Sequence, residues 1–228
     1  MSHPDDSSPV NPLPPFVWLL FAGVALPELA FSLGARGLVG GPQAIGWRLA
    51  ALERYGFSGD VLNWMIDSGR WPLEQVQRLV TYAFVHPAFS ATLFAAVMLL
   101  ALGKLVAEAM GQGAVLAIFF GSAIFGAACY GLIAPGPAFL AGAFPSVYGL
   151  IGAYTHLLWH RLARGGGQPL QAFRLIALLM GFRLVWSVFV DFGMDWIAEL
   201  AGFAFGYLAS NLLAPGAMAR VAARMRRD

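Results

Sequence analysis

Glu199 and Arg183 are the side chains whose chemistry most needs an account, because each sits in a run that is otherwise apolar. A carboxylate removed from water is normally paired, hydrated or protonated. Counting back from Asp191 places Arg183 about 12 Å into its run, and counting forward from Met194 places Glu199 about 8 Å into the next, at ~1.5 Å per residue. The two can meet. The sequence leaves three partners open for Glu199: Arg183, His86, or a backbone carbonyl bonded to the protonated acid. Ser146 offers a hydroxyl, but a serine attacks only when a neighbouring base takes its proton. The bases on offer are Glu199, His86 and His156. His156 and His160 have the i, i+4 spacing of a metal pair. No carboxylate or cysteine completes a ligand set, so they are expected to be interfacial histidines, with no metal and no other cofactor. Glu28, which follows Pro27, is expected to snorkel towards the outer interface. Cys129 is the sole cysteine, which excludes an intramolecular disulfide and suits a packed, inert thiol.

The elements that position these residues must live in lipid. The 228 residues are 59% hydrophobic and 11% charged, with mean hydropathy +0.69. A water-soluble domain of that composition would expose a large apolar surface. A bilayer core of about 30 Å takes about 20 apolar residues per helix, and the sequence offers six such runs, 16–33, 90–110, 114–133, 142–159, 171–190 and 194–213. The fold class read from this is an all-α membrane protein, a bundle of six transmembrane helices in a domain covering 16–213. Residues 1–15 are acidic and proline-rich, as in a disordered tail, and lack the cationic start and cleavage site of a secretory signal.

Basic residues are retained on the cytoplasmic side. Arg220, Arg224, Arg226 and Arg227 in the tail 214–228, Arg161 and Arg164 in the connector after the fourth run, and Lys104 near the end of the second all fall on one side of a six-span chain. Both ends are therefore expected in the cytoplasm, with the basic tail against anionic lipid. The net charge of +2 gives no basis for nucleic-acid binding. The segment 34–78 carries Arg36, Arg48, Arg54, Arg70 and Arg78 on the opposite side, where long loops obey the charge rule weakly. Trp47, Leu49, Leu52 and Tyr55, then Val61, Leu62, Trp64, Met65 and Ile66, recur at helical spacing in it. It reads as interfacial amphipathic helices partly sunk in the outer leaflet.

Small residues recur three to five apart at Gly121 and Gly126, at Gly149 and Gly152, and at Ala198, Gly202 and Gly206. Close backbone approach supplies much of helix packing in lipid, so the third, fourth and sixth spans are expected to touch there. No repeat suggests the inverted plan of transporters. A small transporter or channel would need polar residues across several spans, and only Glu199, Arg183 and Asp195 cluster.

The stretch Gln77-Arg78-Leu79-Val80-Thr81-Tyr82-Ala83-Phe84-Val85-His86 resembles the entry to the second helix of the rhomboid intramembrane proteases. Leu102-Gly103-Lys104 with Glu108-Ala109-Met110-Gly111, then Gly149-Leu150-Ile151-Gly152-Ala153, then Gly202 with Gly206, are similar to later motifs of that family in the same order. The resemblance covers roughly residues 75 to 213. It implies a rhomboid-like bundle of six transmembrane helices with a partly interfacial loop after the first.

Rhomboids cut transmembrane substrates with a serine at the start of the fourth helix and a histidine in the sixth. The resemblance sets the serine position on Phe144 and the histidine position on Glu199. The side-chain oxyanion donors of the second helix fall on Ala91 and Ala95, leaving His86 as the one histidine of that pattern. A benzyl group cannot attack a carbonyl, and alanine side chains cannot donate to an oxyanion. Ser146, two residues on, is turned by about 200° and should face away from the sixth span. The expectation is a pseudoprotease that binds single-span client proteins in the bilayer, with Glu199, Arg183 and His86 around a residual polar pocket. The alternative is an active serine endopeptidase with a rearranged site. The membrane implied is the bacterial inner membrane.

Overall fold

The computed structural model describes residues 12–134, 136, 139–186 and 193–214, and in the helix before residue 187 it leaves the side chains of 184 and 186 undescribed. Helix α1 runs Pro15–Ala35. Proline in its first turn loses nothing, since those amides have no intrahelical partner. Pro27, further in, has no N–H to donate to the Gly23 carbonyl, and the bare Cα of Gly23 receives the Phe84 ring.

The segment between the first two spans is structured. After a 3-10 turn at Pro42–Gly46 come α2, Trp47–Tyr55, a short strand β1, Phe57–Ser58, and α3, Gly59–Ser68. Two single-turn helices follow, α4 at Leu73–Val76 and α5 at Arg78–Thr81. Expected as amphipathic, α3 buries Leu62 and Met65 and leaves Trp64 and Ile66 exposed.

The long apolar helices come next. Helix α6 spans Phe89–Met110 and α7 spans Gln112–Ile133. They are joined at Gly111, whose φ of +91° disfavours any side chain. Strand β2, Phe139–Leu140, pairs antiparallel with β1, Phe57 opposite Leu140 and Ser58 opposite Phe139. This two-residue pair in an otherwise helical chain ties the loop after α1 to the approach of α8.

Helix α8, Phe144–Arg164, is the hub, packed mainly on α10, α7 and α6. Every residue from Pro145 to Ala153 is buried, as befits a helix surrounded by others. The arginines placed in a connector, Arg161 and Arg164, belong to its last turn. A 3-10 turn at Pro169–Phe173 opens α9, Arg174–Trp186, and α10 runs Trp196–Leu213.

Among the described residues four helices, α1, α6, α7 and α10, are long and apolar enough to cross a membrane. The six spans read from the sequence are therefore not confirmed among the described residues. Helix α8 is long enough but carries His156, His160, Arg161 and Arg164, while α9 is described for 13 residues only. The fifth predicted run also starts late, because Pro169 opens a 3-10 turn before the helix. Asp191, residues 1–11 and the tract from Arg220 to Arg227 lie outside the described residues.

Candidate functional site

Gly142 turns the chain into α8 with φ +99°, its amide donating to the Tyr82 carbonyl at 2.9 Å. Its bare Cα faces the His86 ring, where a Cβ would come within 3.0 Å of Cδ2. The next amide, of Ala143, donates to Nε2 of His86 at 3.0 Å. His86 is thus an acceptor in the turn ahead of Phe144, and not the partner of Glu199. It lies before α6, and burial pushes its pKa down to about 4, which keeps the ring neutral.

Phe144 takes the first position of α8 and stacks on Phe94 of α6, with centroids 6.1 Å apart and planes 27° off parallel. Ala95 is fully buried and Ala91 half-buried, so neither position offers a side-chain donor.

Ser146 is fully buried and donates its hydroxyl to the Phe119 carbonyl of α7 at 2.8 Å. A hydroxyl whose proton rests on a main-chain oxygen has no base to activate it. His156 lies ten residues further along α8, about 15 Å at 1.5 Å per residue. It is buried within the bundle. Its ring packs edge-on against His160 at 4.5 Å and against Tyr207 at 5.4 Å, and only His160 is exposed.

Glu199, in the first turn of α10, is 4% exposed, and Nη1 of Arg183 donates to its Oε1 at 2.5 Å. The second oxygen, Oε2, is buried with no partner among the described residues. The structure therefore brings Arg183 and Glu199 together and holds His86 elsewhere.

The two helix starts are in direct contact. A Cβ at Gly126 would fall between Pro145 and the Ala198 carbonyl, and one at Gly202 would overlap the Pro145 carbonyl. Phe144 and Glu199 are the residues next to Pro145 and Ala198. Further along, Gly206 rides on the Gly149 carbonyl, and Gly152 on the Phe203 carbonyl. Ser122 Oγ donates to the Gly202 carbonyl at 3.2 Å, through space that Gly149 leaves open. Helices α7, α8 and α10 are thus in backbone-to-backbone contact, which in lipid is where dispersion and Cα–H contacts are strongest.

A second buried charge was not found from the sequence. Glu28 is 6% exposed and does not snorkel. Its Oε1 accepts from Arg48 Nη2 at 2.6 Å and Ser32 Oγ at 2.7 Å, and its Oε2 from Arg48 Nη1 at 2.8 Å and Thr92 Oγ1 at 2.7 Å. Arg48 also donates to the His86 carbonyl at 3.0 Å. The bidentate carboxylate holds the Arg48 guanidinium above its usual pKa. The available signal was the cost of an unpaired acid in α1, which demands a cation. Arg48, on the amphipathic face of the following loop helix, is the cation that answers it.

A family model described as Rhomboid domain matches residues 73–216. No curated protein matches the chain.

Proposed function

This chain belongs to the rhomboid family, and from that premise we propose that it is a non-catalytic member that binds transmembrane segments of client proteins without cutting them. One observation carries the reading. Phe144 and Glu199 stand next to the contact between the starts of α8 and α10, and the nearby hydroxyl of Ser146 is committed to the Phe119 carbonyl on α7. Nucleophile, base and side-chain donors act as a unit, and replacing all of them removes the chemistry rather than slowing it.

What remains at that place suits binding. The Glu199 carboxylate has one oxygen on Arg183 and one without a described partner, and a buried unsatisfied acceptor favours any donor brought to it. A client helix with a polar residue in its span supplies such a donor. The partners we assign are single-span membrane proteins, in a bacterial inner membrane, with both ends of this chain cytoplasmic. Arg161 and Arg164 in the last turn of α8 support that orientation.

The test has two arms. A fluorophosphonate probe should leave the purified protein unlabelled, with Ser146→Ala indistinguishable from it. Co-purification from native membranes should return single-span proteins whose recovery falls with Glu199→Gln. Labelling abolished by Ser146→Ala would instead establish a serine endopeptidase with a rearranged site.

A further inference from the structure

Between α1 and α6 a cleft of about 430 Å3 runs along the outside of the bundle. Phe21, Leu29 and Leu33 form one wall, and Phe89 and Leu93 form the other. Leu29, Phe89 and Leu93 are exposed, so the cleft opens sideways towards lipid. From Phe21 to Leu33 is twelve residues, about 18 Å of helix, close to the ~15 Å depth of one leaflet's hydrocarbon.

Polar groups in the cleft select what fills it. Glu28, Ser32 and Thr92 all line it, yet the two carboxylate oxygens of Glu28 already accept from Arg48, Ser32 and Thr92. The Glu28–Arg48 pair carries no net charge, so the wall asks nothing polar of an occupant. Arg36 differs. It caps the C-terminal end of α1, lines the end of the cleft, is exposed, and its guanidinium has no partner among the described residues. A span of 21 residues is about 31 Å long, which sets Arg36 at headgroup depth.

An apolar slot one leaflet deep with a single uncompensated cation at its headgroup end is complementary to one class of molecule. We propose that the cleft holds one acyl chain of an anionic phospholipid, with the phosphate bound by Arg36.

Native mass spectrometry of the full chain tests this, using phosphatidylglycerol and phosphatidylcholine with identical acyl chains. The wild type should retain one phosphatidylglycerol about fivefold more strongly than phosphatidylcholine, the size of one basic residue's attraction at a lipid surface. Arg36→Gln, at an exposed position, should erase that preference and leave phosphatidylcholine retention unchanged. Ala25→Phe, which narrows the cleft, should lower retention of both lipids, and Leu29→Ala serves in its place should it fail to fold. Equal retention of the two lipids by the wild type, full preference in Arg36→Gln, or undiminished retention in both cleft variants would each overturn the proposal. So would a dimer abolished by the cleft variants, which would make this face an interface between copies.

Discussion

The imidazole of His86 accepts the Ala143 amide through Nε2 at 3.0 Å, which leaves the ring's proton on Nδ1. The histidine of the family-like second-helix entry thereby serves the main chain: it fixes the turn from which Phe144 starts α8. The same residue's carbonyl is gripped by Arg48, so one position joins the loop helix α2 to the start of the hub helix.

Stability should fall in mild acid. The unfolded chain protonates His86 near pH 6.5, whereas the folded ring, held at about 4 by burial, resists. Between those values the unfolded state binds more protons. The contribution of a neutral His86 is complete above about pH 6.5 and lost as pH drops towards 4. Melting temperatures in detergent from pH 7 to pH 4 should decline, and His86→Gln, which keeps an acceptor but cannot titrate, should flatten the decline. An unchanged slope in that variant would assign the effect to other groups.

Glu28 and Arg48 should behave as one unit. Arg48→Met strands a buried carboxylate, and losing one partner of such a pair costs about 3 kcal/mol. Adding Glu28→Gln to Arg48→Met should recover much of that loss, because a neutral amide still bonds Ser32 and Thr92. A double-mutant cycle read from melting in detergent measures the coupling. Additive effects would mean that the pair contributes nothing beyond its separate contacts.

The legible and the hidden parts of this molecule divide on a physical line. Local signals carried α1, α6, α7 and α10, since about 20 apolar residues leave the chain few options in lipid. The packing glycines were visible too, and Gly202 and Gly206 do lie against the backbone of Pro145 and Gly149. Glu28 was misread because its fate depends on Arg48, twenty positions away, and no local pattern encodes that meeting. The same holds for His86, whose acceptor role is set by a turn 57 positions later, and for the Phe57–Ser58 strand, whose partner is more remote still. The burial of the His156 ring was hidden for the same reason, since the ring it packs against, Tyr207, lies on α10.

Ser146→Ala should cost about 1 kcal/mol, the ordinary worth of one hydrogen bond, and nothing else. The hydroxyl is an interhelical tie to the Phe119 carbonyl, so the variant should melt slightly earlier and retain client binding. A loss of client binding without a shift in melting would give the hydroxyl a role beyond packing.

Gly206→Ala should separate the helices that carry the candidate site. A Cβ there would overlap the Gly149 carbonyl, a backbone atom that cannot rotate away, so α10 must shift off α8 as a body. Overpacking of that kind costs about 3 kcal/mol. Moving α10 also carries Glu199 relative to the start of α8, so client recovery should drop with stability. Gly181 supplies the control: it lies in α9 with nothing within 4 Å of an added Cβ, and Gly181→Ala should change melting by under about 1 kcal/mol. If both alanines are equally tolerated, α8 and α10 are not in backbone contact, and the placement of Phe144 beside Glu199 falls with it.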